Sequence, residues 1–177
     1  RGISKSVIDY FVSQNLIYES RHYHNIVFKG NDKDEMTEFA ISRAKEKIEN
    51  ADIIYFLGGL PDRMMDRIKE FDLQDVLMKH QGIVMGYSAG AVIQLAEYHL
   101  SPDDDYPEFG YYEGLPYLKN FYLEVHYEET ASQKAAIEKV IAERKKTVYA
   151  TSLMKGAILV DNGNIRLLGD VKEYKQA

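Results

Sequence analysis

Apolar positions change their spacing repeatedly along the chain, and each change marks an element. Val7, Ile8, Phe11, Val12 and Leu16 recur at helical spacing behind Ser4, a possible cap, and predict a helix over residues 4–15. Residues 20–28 end in Ile26-Val27-Phe28 and predict a strand on which His22 and His24 alternate; a turn at Lys29-Gly30-Asn31-Asp32 follows. Met36, Phe39, Ala40, Ala44 and Ile48 then share one face of a helix over 34–50. Ile53-Ile54-Tyr55-Phe56-Leu57 is apolar throughout, the pattern of a strand buried on both faces of a parallel sheet. Pro61 suits the first turn of a helix reaching about residue 70. A short helix over 73–80 leads through Gly82 to another apolar run, Ile83-Val84-Met85.

The second half repeats the alternation. Phe121 to Val125 reads as a strand with His126 at its carboxyl end. Thr130-Ala131-Ser132-Gln133 is a capping-box signature, and Ala136, Ile137, Val140 and Ile141 form the buried face of the helix behind it. Val148-Tyr149-Ala150 is a short strand. The apolar runs 157–160 and 165–168 flank Asp161-Asn162-Gly163-Asn164, whose Asn-Gly pair signals a tight hairpin. Strands alternating with helices predict one α/β domain over 1–177: three layers, a mostly parallel sheet and a C-terminal β-hairpin.

Composition narrows the function. The 22 basic and 28 acidic side chains leave a net charge of −6, which argues against nucleic acid as a partner. With no Cys, disulfides, thiolate metal sites and Cys nucleophiles are excluded; this fits a cytoplasmic protein. No apolar run approaches the ~20 residues that span a bilayer, so no membrane partner is expected. His22 and His24 lack a nearby third ligand, and Asp103-Asp104-Asp105 lacks the spacing of a Ca²⁺ loop, so no metal is expected. Gly58-Gly59 is part of neither G-x-G-x-x-G nor Gly-Lys-Ser/Thr, so no nucleotide or other cofactor is expected.

The chemistry centres on Gly86-Tyr87-Ser88-Ala89-Gly90. A Ser in G-x-S-x-G, between an apolar strand and an Ala-rich helix, is the pattern of a nucleophile elbow. Small neighbours are required because strand and helix nearly touch, and the helix N-terminus points N–H groups at the hydroxyl. An ordinary β–α turn with a Ser cap shares the pentapeptide. Ligands of such sheets bind at the carboxyl ends of strands, where Gly58-Gly59-Leu60 and Ser88 both fall. The N–H groups of Leu60 and Ala89 would then form an oxyanion hole. His80 falls at the opposite edge, and His99 lies past the elbow helix. His126 ends a strand on the same edge as Ser88 and is the candidate general base.

Gly58-Gly59, Gly86-Tyr87-Ser88-Ala89-Gly90-Ala91 and Val125-His126-Tyr127 together resemble the dipeptidase E and cyanophycinase family of serine peptidases, over about residues 35–170. The resemblance implies a flavodoxin-like, class I glutamine-amidotransferase-like fold and hydrolysis of small peptides. By position it implies Ser88 as nucleophile, His126 as its His and Asp103 as the acid, with Gly59 and Asp62 at the substrate. The family's usual opening strand, helix and strand are not evident. With Arg1-Gly2 in place of an initiator Met, a preceding segment is expected.

Two departures from the family pattern stand out. Lys155 occupies the place of a Glu thought to support the His, where a cation would oppose an imidazolium. Leu60-Pro61-Asp62 replaces a third Gly followed by Asn-Thr, and Asp62 would repel a substrate carboxylate. The basic residue expected in the helix after the His is not clearly matched, with Ala131 and Lys134 flanking the place. A family member that binds without catalysis is therefore the alternative. An α/β-hydrolase esterase is a third reading, with little room between Ser88 and His126 for its usual helices. A homodimer is left open.

Overall fold

The computed structural model describes residues 38–176, in two compact units divided after Asn50. The predicted helix over 4–15, the strand over 20–28 with His22 and His24, and the turn at 29–32 lie outside the described residues. In the first unit, α1 (Glu38–Glu49) buries Ala44 and Ile48, a helical turn apart on the predicted apolar face.

The second unit starts with β1 (Ile53–Phe56), α2 (Pro61–Glu70), α3 (Gln74–Lys79) and β2 (Ile83–Gly86). β1 and β2 pair in parallel, Ile53 opposite Ile83 and Phe56 opposite Gly86. Pro61 does open α2, which buries Pro61, Met65 and Ile68. Burial of β1 on both faces is not observed: its four residues are only partly buried, and Ile83 of β2 is exposed. Among the described residues β1 has β2 as its only strand partner, and two strands cannot cover themselves on both faces.

The elbow helix is shorter than expected. α4 spans only Ala89–Val92, and the chain then enters a strand the apolar pattern did not mark, β3 (Glu97–Leu100). β3 pairs antiparallel with β4 (Gly110–Glu113), placing Tyr98 opposite Tyr112 and His99 opposite Tyr111. Both strands mix polar residues and Tyr without strict alternation, which hides them from a search for apolar period.

The last part follows the sequence closely. β5 (Phe121–Glu124) is buried throughout and parallel to β6 (Thr147–Asp161). α5 (Ala131–Arg144) crosses between them; it buries Ala136, Ile137 and Val140, the last two in a cluster with Tyr122, Tyr127, Val148 and Ala150. Arg144 donates to Glu97 at 2.7 Å, joining the end of α5 to β3, and this guanidinium holds the Glu97 carboxyl below its ordinary range. β6 continues far past the predicted three residues and turns into β7 (Asn164–Tyr174). The turn uses Asn162 and Gly163, both at positive φ (48° and 82°), as a tight hairpin demands. The ladder slips between Thr151 and Gly156, where Met154 takes φ 60°.

The fold is therefore mixed α/β. Its described strands form three small sheets, β1–β2, β3–β4 and β5–β6–β7, with both parallel and antiparallel pairs. Among the described residues no helix is long and apolar enough to cross a membrane.

Candidate functional site

Phe56 closes β1, and its carbonyl accepts from the Tyr87 N–H at 3.0 Å. The turn after β2 is thereby pinned to the turn after β1. Ser88 caps α4 at φ 54°, ψ −121°. A non-Gly residue in that region is strained by roughly 1–3 kcal/mol, and such strain persists only where the surroundings impose it. Here the Ser88 carbonyl accepts from Ala91 and Val92, and Gly90 N–H bonds to Tyr87. The tight turn is thus closed on both sides of the Ser.

The glycines around it have no room for side chains. A Cβ on Gly90 would lie 2.1 Å from the Phe56 carbonyl oxygen, and one on Gly86 would lie 2.0 Å from the Gly90 oxygen. A Cβ on Gly58 would sit 3.3 Å from Ser88 Cβ, so the start of the Gly58-Gly59-Leu60 loop borders the Ser88 side chain. As first residue of α4, Ala89 has no intrahelical acceptor for its N–H. Leu60, the cap of α2, spends its carbonyl on Met64 and its N–H on no backbone acceptor among the described residues.

His126 follows β5 by two residues and stands at φ 52°. Its imidazole is exposed, with the ring centroid 6.3 Å from that of Tyr87, the residue before Ser88. The structure thus brings the turn at Tyr87-Ser88 and the His to one neighbourhood. Neither the Ser88 hydroxyl nor the His126 imidazole has a hydrogen-bond partner among the described residues.

The predicted capping box is present and does more than cap. Thr130 Oγ1 accepts from Gln133 N–H, and Gln133 Oε1 accepts from Thr130 N–H and, at 3.0 Å, from Glu128 N–H. Gln133 Nε2 then donates to the His126 carbonyl at 3.0 Å. One side chain therefore ties the start of α5 to the backbone of the candidate base. Gln133→Ala should lower stability by about 1 kcal/mol, read as a shifted denaturant midpoint at unchanged slope.

Asp103 is exposed and serves its own loop: Oδ1 accepts from Asp105 N–H at 2.9 Å and Tyr106 N–H at 2.7 Å. Its carboxylate makes no bond to His126 among the described residues. Asp62, at the start of α2, accepts at Oδ1 from its neighbour Arg63 N–H and from Tyr106 OH at 2.6 Å. Burial first, then this bond to Asp62, raises the Tyr106 hydroxyl above its ordinary pKa. The acidic loop is thus latched to the start of α2. Gly59 lies between Gly58 and Leu60 with open space where a side chain would be. Lys155 is exposed on β6 beside the slipped register.

Sequence reasoning missed a buried polar cluster of His99, Ser101 and Glu124. Glu124 Oε2 accepts from Ser101 Oγ at 2.7 Å and lies 2.8 Å from His99 Nε2. Its signal was one carboxylate inside the otherwise apolar stretch Phe121–Val125, since a buried carboxylate must be partnered.

A sequence model of peptidase family S51 matches residues 29–168. One of a family described as a protein of unknown function, DUF3991, matches residues 1–55. No curated protein matches the chain. Among solved structures, the chain is similar to a candidate peptidase E protein from Listeria monocytogenes EGD-e, at 19% identity and a TM-score of 0.49. That match covers 77% of this chain and 66% of the Listeria chain.

Proposed function

The chain belongs to peptidase family S51, and on that premise we propose that it is a serine peptidase that hydrolyses small peptides, with Ser88 as nucleophile and His126 as general base. The observation that carries the reading is Ser88 itself: a strained, positive-φ serine at the end of a parallel strand, bordered by a glycine loop. The three-layer, mostly parallel arrangement of the class I amidotransferase fold is its frame. β1 and β2, parallel and adjacent, suit that frame.

In this mechanism His126 takes the proton from Ser88 Oγ as the oxygen attacks the scissile carbonyl. The new C–O bond leaves a tetrahedral oxyanion, which the N–H groups of Leu60 and Ala89 stabilise. Collapse breaks the C–N bond, and the proton on His126 passes to the departing amine. Water, deprotonated by the same imidazole, then releases the acyl group. Asp103 is the proposed acid, with Oδ2 left for the imidazole because backbone N–H groups hold Oδ1. Gly59 and Asp62 face the substrate in this reading. The Asp62 charge disfavours peptides that present a carboxylate there.

The second reading, a family member that binds peptides without cleaving them, draws on the open Ser88–His126 pair and on Lys155. A peptide library incubated with the protein and read by mass spectrometry separates the two. Catalysis expects new termini that disappear with His126→Ala. Retained peptides with no new termini would leave only the binding protein.

A further inference from the structure

Glu124 is the last residue of β5 and only 6% exposed, in a strand whose other three residues are buried and apolar or aromatic. A carboxylate there loses its hydration and is tolerated only with good partners. It has two, one on β3 and one just after it. His99, the third residue of that strand and 2% exposed, brings Nε2 to 2.8 Å; Ser101 donates its hydroxyl at 2.7 Å. A carboxylate only accepts, so Nε2 carries the proton. His99 Nδ1 is then left buried with no partner among the described residues. The ring lies 5.9 Å from the rings of both Phe109 and Tyr122. Apolar residues in place of Glu124, His99 and Ser101 together would pack into such surroundings without any of these demands. The cluster therefore calls for an explanation other than stability.

Its location supplies one. Two residues past Glu124 stands His126, at φ 52°, a conformation that a non-Gly residue keeps only when its neighbours enforce it. Beyond the Gln133 bond to its carbonyl, the next tie on the far side is Tyr127 N–H to Thr151 at 2.9 Å. On the near side the strand end is paired with Ala150 of β6, and the Glu124 side chain adds a second tie. It fastens the end of β5 to Ser101 and so to the root of the loop that carries Asp103.

We infer that Glu124 is a positioning residue for His126: with His99 and Ser101 it fixes the strand end from which the imidazole must reach Ser88. The inference rests on the reading of Ser88 and His126 as nucleophile and base. It adds a buried residue that touches neither substrate nor the reacting atoms.

The test is the inactivation of the full chain by a fluorophosphonate probe, resolved into a binding constant KI and a chemical rate kinact. Circular dichroism verifies that each variant is folded. Misplacing a base by about an ångström slows chemistry roughly a hundredfold, so Glu124→Leu should lower kinact by about that factor and leave KI within about threefold. Glu124→Gln keeps an oxygen that accepts both bonds and should stay within about threefold of wild type. Ser101→Ala removes one bond and should lower kinact about tenfold. A purely structural role would change the melting temperature and leave kinact of the folded protein alone. Wild-type kinact in folded Glu124→Leu overturns the inference. If Glu124→Leu does not fold, wild-type kinact in Ser101→Ala overturns it instead. Both outcomes leave the Ser88 reading intact, whereas a wild type that never labels removes that reading and this inference together.

Discussion

Ser88→Ala should abolish covalent labelling by a fluorophosphonate and lower any peptide turnover by roughly 10⁴-fold or more, the scale on which serine peptidases lose activity with their nucleophile. Because the change deletes one oxygen that bonds to nothing among the described residues, the fold should keep its stability within about 0.5 kcal/mol. Ser88→Gly makes a sharper statement. The backbone at φ 54°, ψ −121° is strained for serine but open to glycine, so the glycine variant should be inactive and about 1 kcal/mol more stable. A gain in stability on losing the side chain is the signature of a residue held for chemistry. If Ser88→Gly is instead less stable than wild type, the strain serves the fold, and the elbow is an ordinary turn.

Gly90→Ala should have the largest effect on the fold itself. The added methyl would lie 2.1 Å from the Phe56 oxygen and 2.6 Å from the Leu57 oxygen. Both are backbone atoms, so no side chain can swing aside. Relief requires α4 to lift off the end of β1, where the Tyr87–Phe56 bond holds the two turns together. A loss above about 3 kcal/mol is expected, at the upper end of what overpacking costs. Urea unfolding followed by circular dichroism measures it. An unchanged midpoint would mean that helix and strand do not approach as closely as described, and the Ser would lose the constraint that strains it.

How much of this could be read from residues alone depends on what each element is made of. α2, β2, β5 and α5 were legible because their apolar spacing, Pro61 and the Thr130–Gln133 box each act within a few residues. The hairpin was legible from Asn162-Gly163, though not its length, because the long arms of β6 and β7 include Lys155, Asp170 and Lys172, which interrupt an apolar period. β3 and β4 were not legible, since their pairing depends on tyrosines stacking across strands, as Tyr98 does on Tyr112 at 5.6 Å. At the site, the tight turn at Ser88 could be read because its glycines are dictated by local sterics. The neighbourhood of Tyr87 and His126 followed from strand ends. The partners of Glu124 and Asp62 come from segments remote along the chain, and no local pattern announces a contact of that kind.

The parallel pairing of β5 with β6 carries a consequence for the order in which the chain organises itself. Joining β5 to β6 closes only the loop that α5 occupies, and joining β6 to β7 closes a two-residue turn. Both closures are short, so they sacrifice little chain entropy and can happen early. Joining β1 to β2 closes a connection of similar length, residues 57–82, and brings the turn at Ser88 into place. The two sides of the candidate site thus arise from closures of comparable length, and neither has to wait for the other.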